Sequence, residues 1–384
     1  MLNWKKIPNF LTVAAVLVSP FAVTAETIKI GVTQPLTGAV AASGNYVTQG
    51  AQIAESLINQ DGGVLGRKIE LIIEDNKSNP KEAVLTAEKL IVRDGVSVLM
   101  GAWSSTYTLA VMPKLMEYGV PMVVETSSSG KITTSGNPWI FRISPTSAME
   151  ARAFSAKLDQ FDIKKADFLV VNNDWGRGAS VEFKAVLQAN GIEIGVMETM
   201  DAKTVDISAQ LAKIKASGGD TLFITSGVEQ ITLALKQMKD LRLKHRVITT
   251  GGSSAPAQLI EQAGKAAEGS FHLLFFAPWF PESAPNPKVA TRFVNEWNRL
   301  GHNFAGLTEG FRGFDGILTI AAGIEAAGVV ESKAIQKALW GVKVDGGVNG
   351  DIAFIKQGPK GSESAQNVPN VYVVTIKDGQ VALP

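Results

Sequence analysis

The sequence contains no cysteine, few histidines and nearly equal numbers of positive and negative residues, 37 Lys plus Arg against 36 Asp plus Glu. The absence of cysteine excludes a disulfide scaffold, a thiolate metal site and a cysteine nucleophile. The three histidines, His245, His272 and His302, lie far apart in the chain and predict no metal site. Because the charges balance, the chain lacks the positive potential with which most nucleic-acid-binding proteins attract their partner. The composition therefore predicts no metal and no nucleic-acid partner.

The remaining composition is typical of a globular protein with about two domains. The chain has 384 residues, of which 45% are hydrophobic and 19% are charged. At the usual ~100–200 residues per domain, this length allows two sizeable hydrophobic cores.

The N-terminal segment has the parts of a cleavable export signal. Lys5 and Lys6 form a positive start, residues 10–18 form an apolar run, and a small-x-small pattern closes at Ala25. The run is shorter than the roughly 20 residues that a membrane-spanning helix needs. Glu26 follows, where a lipid anchor would need a cysteine. We therefore predict a signal peptide cleaved after Ala25 and a mature protein that is free in the periplasm.

Strand and helix patterns alternate along the rest of the chain. Helical periodicity fills most of the segments between the predicted strands, which is the pattern of repeated β-α units. Such units predict an α/β fold, with two doubly wound, mostly parallel sheets in lobes of similar size. The predicted strands are residues 27–32, 68–74, 96–100, 121–124, 167–171, 192–197, 221–225, 247–250, 270–275 and 371–376.

The motifs of common enzyme classes are missing. No phosphate-binding glycine pattern follows the first predicted strand, so neither a nucleotide nor a dinucleotide cofactor is predicted. Residues 251–254 form a Gly-Gly-Ser-Ser turn after a strand, but Ala255 follows where a nucleophile elbow needs glycine. No nucleophile lies near a base and an orienting group in the sequence. We therefore predict a protein that is not an enzyme and that needs no cofactor.

Polar and small residues follow several predicted strands, at the ends where ligands bind in open α/β sheets. Ser104 is placed to cap a helix whose free N–H groups favour a carboxylate, and residues 126–128 add hydroxyl groups beside it. Each serine taken alone is also explained as an ordinary cap. Trp175 lies in a polar, glycine-rich turn, where a large ring either covers a ligand or packs on the core. The candidate binding residues are Trp103, Ser104, Ser105, Thr126, Ser127, Ser128, Trp175, Gly227 and Gly251.

Two arginines are further candidates. Arg142 lies near an expected crossing between the lobes, and Arg312 opens an Arg-Gly-Phe-Asp-Gly sequence on a predicted helix. Each arginine is also explained as part of a structural ion pair. For Arg312 the partner would be Glu309 or Asp315.

A series of motifs, taken in order and spacing, gives the chain a family resemblance. It resembles the type I periplasmic binding proteins, and more closely the leucine/isoleucine/valine-binding proteins that serve ATP-binding-cassette (ABC) importers. The resemblance covers essentially the whole mature chain. The motifs are residues 28–38, 50–51, 59–63, 66, 75 with 80, 101–106, 121, 126–128, 141–142, 175–176 and 268–269.

The resemblance implies two discontinuous lobes joined by three crossings, which we expect near Pro145, near Phe276 and within residues 344–350. The N-terminal lobe would then comprise residues 26–145 and 277–345, and the C-terminal lobe the remainder of the mature chain, residues 146–276 and 346–384. The resemblance also implies a ligand clamped by hinge closure and an ABC permease as partner. We expect a monomer without a cofactor.

The resemblance further implies roles for individual residues. In the family, a serine at the position of Ser104 and a hydroxyl at Ser128 hold the carboxylate of the ligand. The backbone carbonyl at Thr126 takes the ammonium group, and an aromatic ring at the position of Trp175 closes over the ligand.

Two departures leave the ligand open. The amino-acid binders of the family have an acidic residue where this chain has Gly251, and another aromatic near Gly227. An ammonium group buried without an anion would cost several kcal/mol. Either Glu125, Asp174 or Glu229 takes over that role, or the ligand is a carboxylate or amide without an ammonium, such as an aromatic or keto acid. A ligand sensor is the third alternative.

Overall fold

The computed structural model describes residues 26–384, and the predicted signal peptide lies outside the described residues. The strands are β1 (Ile28–Gln34), β2 (Ile69–Asp75), β3 (Leu99–Gly101), β4 (Met122–Val124), β5 (Ile140–Arg142), β6 (Lys165–Val171), β7 (Glu193–Met200), β8 (Thr221–Thr225), β9 (Arg246–Thr250), β10 (Phe271–Leu274), β11 (Lys343–Val344), β12 (Ile352–Ala353), β13 (Ile355–Gln357), β14 (Ser364–Gln366), β15 (Tyr372–Lys377) and β16 (Gln380–Ala382). The helices are α1 (Ala41–Gln60), α2 (Pro80–Glu88), α3 (Ser105–Tyr118), α4 (Lys131–Thr134), α5 (Ser147–Ser155), α6 (Asp174–Ala189), α7 (Ser208–Ser217), α8 (Val228–Asp240), α9 (Pro256–Ala263), α10 (Pro287–Arg299), α11 (Leu307–Ala327) and α12 (Ser332–Leu339).

The first lobe is built on a seven-stranded sheet in the order β13-β14-β5-β4-β3-β1-β2. β1 is parallel to both neighbours and is buried on both faces, as expected of a central strand between two layers of helices. On one face α1 crosses α11 at very short range. A Cβ atom at Gly50 would lie 1.7 Å from the carbonyl oxygen of Gly310, and one at Gly313 would lie 1.9 Å from that of Val47. Glycine therefore permits this helix crossing.

The second lobe repeats the design with a sheet in the order β16-β15-β10-β9-β8-β6-β7. Phe154, Phe183 and Phe223 pack together on one face, with ring centroids 5.6–6.2 Å apart. His272 on β10 is fully buried and lies 2.8 Å from the Thr249 hydroxyl. Burial lowers its pKa to about 3, so this histidine is a neutral core residue. The two sheets confirm the predicted fold class.

Within the described residues the chain passes between the two lobes three times, between β5 and β6, after β10, and between β14 and β15. The last crossing corrects the expected lobe boundary, which assigned residues 346–384 to the second lobe. β14 pairs in parallel with β5, with Ala365 opposite Phe141, and β13 pairs with β14. Residues 355–366 therefore belong to the first sheet, and the third crossing follows Gln366. Two strands of three residues each are too short to produce a readable periodicity.

No single helix within residues 26–384 has the length and apolar character of a membrane span. The segments Phe304–Ala327 and Ser332–Leu339 are long and apolar enough only when they are taken together, and the chain bends by 106° at their junction. Ile320 and Ile335 from these segments lie in the hydrophobic core of the first lobe.

Candidate functional site

A cavity with about 230 Å³ of space outside protein atoms, solvent at its mouth included, lies where the carboxyl ends of the two sheets face each other. Eight of the nine predicted binding residues line it; Ser253 also lines it and was not predicted. Gly227 is not among the lining residues, and the side chain nearest to it is that of Glu229. The lining residues are Trp103, Ser104, Ser105, Thr126, Ser127, Ser128, Trp175, Gly251 and Ser253.

The first lobe presents hydrogen-bond donors at the start of α3. Ser104 is the N-cap residue in an extended conformation, with φ −87° and ψ 139°, but its side chain makes no capping hydrogen bond. The N–H groups of Tyr107 and Thr108 donate to the carbonyl oxygen of Ser104, so those of Ser105 and Thr106 are the ones left without an acceptor within the helix. Together with the helix dipole, these groups favour an anion at this end of the cavity.

The loop after β4 adds two further hydroxyl groups. The buried Thr126 hydroxyl has no hydrogen-bond partner within residues 26–384. The Ser128 hydroxyl lies 3.2 Å from that of Ser147. Ser127 has a structural role, because its hydroxyl donates to the carbonyl oxygen of Trp103 at 2.9 Å. Thr126 and Ser128 are therefore the residues of this loop whose hydroxyls are most available to a ligand.

The Arg142 side chain stabilises the backbone of this loop by hydrogen bonds. The side chain is fully buried and donates to the carbonyl oxygens of Ser127 at 3.2 Å and Ser129 at 2.7 Å. It also donates to Gln366 Oε1 at 2.6 Å. Its expected structural role is thus filled by neutral acceptors instead of an ion pair.

The second lobe covers the cavity with an aromatic ring. Trp175 lies in the first turn of α6, where the side chain of Asn173 caps the helix by accepting from the N–H of Gly176 at 2.9 Å. Its ring centroid is 6.4 Å from that of Trp103 in an edge-to-face arrangement. A Cβ atom at Gly251 would lie 2.2 Å from Cζ2 of Trp175, and Gly251 has φ +86°. The indole ring therefore occupies the space that any side chain at position 251 would need.

Hydrogen bonds join the lobes beside the cavity. The Thr106 hydroxyl donates to Asp174 Oδ2 at 3.0 Å. Arg312 Nη2 donates to the carbonyl oxygen of Gly252 at 2.7 Å. These contacts and the Trp103–Trp175 ring pair connect the two lobes across the cavity.

A group of buried charged side chains lies behind the cavity. Arg312 and Glu309 on α11 are 1% and 2% exposed, and Arg312 Nε is 3.4 Å from Glu309 Oε2. This confirms Glu309 as the partner of Arg312. Asp315 instead accepts hydrogen bonds from the backbone N–H groups of Val348 and Asn349. Burial raises the pKa of Glu309, and the nearby Arg312 guanidinium opposes that rise.

The three carboxylates considered as ammonium partners do not line the cavity. Glu125 Oε1 accepts from Gln34 Nε2 at 2.9 Å and from the backbone N–H of Trp103 at 3.3 Å. Asp174 is bonded to Thr106 across the lobes. Glu229 lies in the first turn of α8, and burial raises its pKa. Within residues 26–384 no three acidic or histidine side chains come together to hold a metal ion.

Glu150 should make stability depend on pH. It is fully buried on α5, accepts from the N–H of Gly251 at 2.6 Å, and burial raises its pKa from 4.5 to about 8. Between these two values the folded protein holds a proton that the unfolded chain releases. The free energy of unfolding should therefore fall as the pH rises through this window, by up to about 1.4 kcal/mol per unit from this group.

Glu150→Gln should remove this contribution, because glutamine keeps an acceptor for Gly251 and carries no charge. Urea unfolding between pH 5 and pH 9 should show a smaller decline for the variant than for the wild type. The other titrating groups, including Asp315, are common to both proteins and cancel in the difference. Equal slopes in the two proteins would contradict the prediction.

Two lobes that enclose helix N–H groups, hydroxyls and an aromatic ring define a two-lobed ligand-binding protein. The sequence profile of the family described as "Periplasmic binding protein" matches residues 27–380. The chain belongs to this family, which confirms the predicted resemblance. It is a family of solute-binding proteins for transport and not of enzymes.

Individual relatives agree with this assignment. The chain is 28% identical over 333 residues to the leucine-, isoleucine-, valine-, threonine- and alanine-binding protein of Pseudomonas aeruginosa, covering 86% of each chain. It is similar to the crystal structure of a leucine-binding protein from Thermotoga maritima, with a TM-score of 0.82, 26% identity and coverage of 93% of this chain and 98% of that one. A solute-binding protein of an ABC transporter from Rhodopseudomonas palustris, solved with 3,4-dihydroxybenzoic acid, shares the fold at 24% identity and a TM-score of 0.79, over 92% of this chain and 95% of that one.

Proposed function

We propose that this chain is the periplasmic ligand-binding component of an ABC importer of the branched-chain amino acid type, and that it binds a small carboxylate-bearing ligand between its lobes. One observation carries the proposal: hydroxyl and helix N–H donors on one lobe and an aromatic ring on the other line the same cavity. The names of the amino-acid-binding relatives support the class of ligand.

The carboxylate docks on the first lobe. It accepts hydrogen bonds from Ser104, from Thr126 and from the N–H groups at the start of α3, and Ser128 lies beside them. Trp175 then covers the apolar part of the ligand. Closure excludes water, and hydrogen bonds to a charged acceptor strengthen as the local dielectric falls.

The closed form is what the permease recognises. The ligand shifts the population toward closure because it contacts both lobes at once only in that form. The hydrogen bond from Thr106 to Asp174 and the one from Arg312 to Gly252 add direct contacts between the lobes. The protein acts as a monomer that delivers its ligand to the permease in the inner membrane.

Ser104→Ala and Thr126→Val test the carboxylate site. Each removes one hydrogen bond to a charged group, so we expect each to weaken binding by about 10- to 100-fold, from about 1.5–3 kcal/mol. The measurement is calorimetric titration with the acid that gives the largest rise in melting temperature in a screen of amino acids, keto acids, aromatic acids and amides.

Ser56→Ala on the exposed face of α1 is the matched control and should leave affinity unchanged. The melting temperature of each unliganded variant checks its fold. Wild-type affinity in both cavity variants would refute the carboxylate site.

A further inference from the structure

Among residues 26–384, no ionisable side chain lines the cavity. Its lining consists of tryptophan, serine, threonine and glycine only. A carboxylate is provided for by the hydroxyl and N–H donors of the first lobe. An ammonium group beside it would be buried without an anion, which costs several kcal/mol.

The geometry at Gly251 explains why no carboxylate is there. The Trp175 ring lies where a side chain at position 251 would begin, 2.2 Å from the ideal Cβ position. Trp175 is itself 7% exposed and packs on Trp103. An acidic side chain at position 251 and the indole ring in its observed place are therefore mutually exclusive.

One buried carboxylate behind the cavity already has a cationic partner. Glu309 forms an ion pair with Arg312, and within residues 26–384 its two carboxylate oxygens accept no hydrogen bond. Glu309 is thus neutralised behind the wall. A ligand cation would have to compete with a guanidinium 3.4 Å from that carboxylate.

Three other carboxylates, those of Asp174, Glu150 and Glu125, each accept a hydrogen bond from another group of the protein. Asp174 bonds Thr106 across the mouth of the cleft. Glu150 reaches the backbone N–H of Gly251. Glu125 has one oxygen on Gln34 and lines a second cavity, of about 330 Å³, at the crossings between the lobes. None of the three lines the ligand cavity.

From this arrangement we propose that the ligand is a small carboxylic acid without an ammonium group. The Trp175 ring lies over Gly251, where an amino-acid binder would have an acidic side chain, and this difference determines the specificity. The proposal rests on the proposed function, because it assumes that the carboxylate docks at Ser104 and Thr126. It names the chemical class of the ligand: an acid whose remaining body is neutral, such as an aromatic acid or a 2-oxo acid.

The test compares acids that differ only at the amino group, by calorimetric titration of the wild-type protein. Leucine is compared with 4-methyl-2-oxopentanoate and 4-methylpentanoate, and phenylalanine with phenylpyruvate and 3-phenylpropanoate. Leucinamide and phenylalaninamide carry the ammonium group without the carboxylate. We expect at least one deaminated acid to bind 100-fold more tightly than its amino acid, and the amides not to bind.

The outcomes separate the two proposals. Tighter binding of the amino acids would overturn the inference and leave the carboxylate site intact. Binding of the amides, or of no compound in the series, would overturn the proposed function together with the inference.

A variant pair tests the role of Gly251 directly. Trp175→Ala combined with Gly251→Asp removes the ring and restores a carboxylate, and aspartate tolerates the left-handed backbone better than most residues. We expect the affinity ratio of amino acid to deaminated acid to rise at least tenfold relative to Trp175→Ala alone. An unchanged ratio in a double variant that melts cooperatively would contradict the assigned specificity.

Discussion

Replacing Arg312 by methionine is expected to lower the free energy of unfolding by about 3–5 kcal/mol, the usual cost of breaking a buried ion pair. Arg312 is 1% exposed, and the substitution leaves the Glu309 carboxylate buried without its cation. The substitution also removes the hydrogen bond to the Gly252 carbonyl, which joins the lobes. Urea unfolding at neutral pH measures the change.

A double variant is the matched control. Arg312→Met with Glu309→Leu removes both charges, and replacing a whole buried pair by apolar side chains of similar volume is often neutral. We expect it to recover most of the stability lost in Arg312→Met. A single variant as stable as the wild type would show that the pair is not buried as described.

Gly251→Ala is expected to destabilise the protein by about 2–5 kcal/mol and to abolish tight ligand binding. The left-handed backbone costs a non-glycine residue about 1–2 kcal/mol, and overpacking adds about 1–3 kcal/mol. The added Cβ atom forces the Trp175 ring from its place, because both residues belong to the second lobe and the clash persists in open and closed forms. Thermal unfolding and calorimetric titration report the two effects.

Gly218→Ala separates backbone strain from the clash. Gly218 has φ +70°, but no atom of the described residues, its chain neighbours aside, lies within 4 Å of a Cβ atom added there. The Gly218→Ala variant should lose only the stability that the left-handed backbone costs, and it should bind the ligand with wild-type affinity. If Gly251→Ala behaves like Gly218→Ala in both measurements, then the indole ring is not held over position 251.

The fold was predictable because parallel βα units leave a strong local signal. Strands such as β8, which is buried throughout, were located to within a few residues by their apolar pattern. β13 and β14 were missed, because each has three residues and their place beside β5 depends on long-range pairing. The third crossing was consequently placed too early in the chain.

The cavity wall was predictable for a topological reason. Loops that follow parallel strands converge at one edge of a sheet, so residues after β3, β4, β6 and β9 meet. The charged group behind the wall left no such signal. Glu150 lies on α5, whereas Glu309 and Arg312 lie on α11, which is far from α5 in the sequence. Only tertiary packing brings Glu150 toward the Gly251 loop. Tertiary packing also explains why position 251 is glycine. The ring that leaves no room for a side chain there belongs to Trp175, 76 positions earlier in the chain.

The most direct test of the ligand site is hydrogen–deuterium exchange of the mature protein, with and without the acid that binds most tightly. Binding between the lobes predicts slower exchange in residues 103–106 and 126–128 of the first lobe together with residues 172–176 and 251–253 of the second. Protection confined to one lobe, or found at a surface away from these four segments, would contradict a ligand clamped between Ser104 and Trp175.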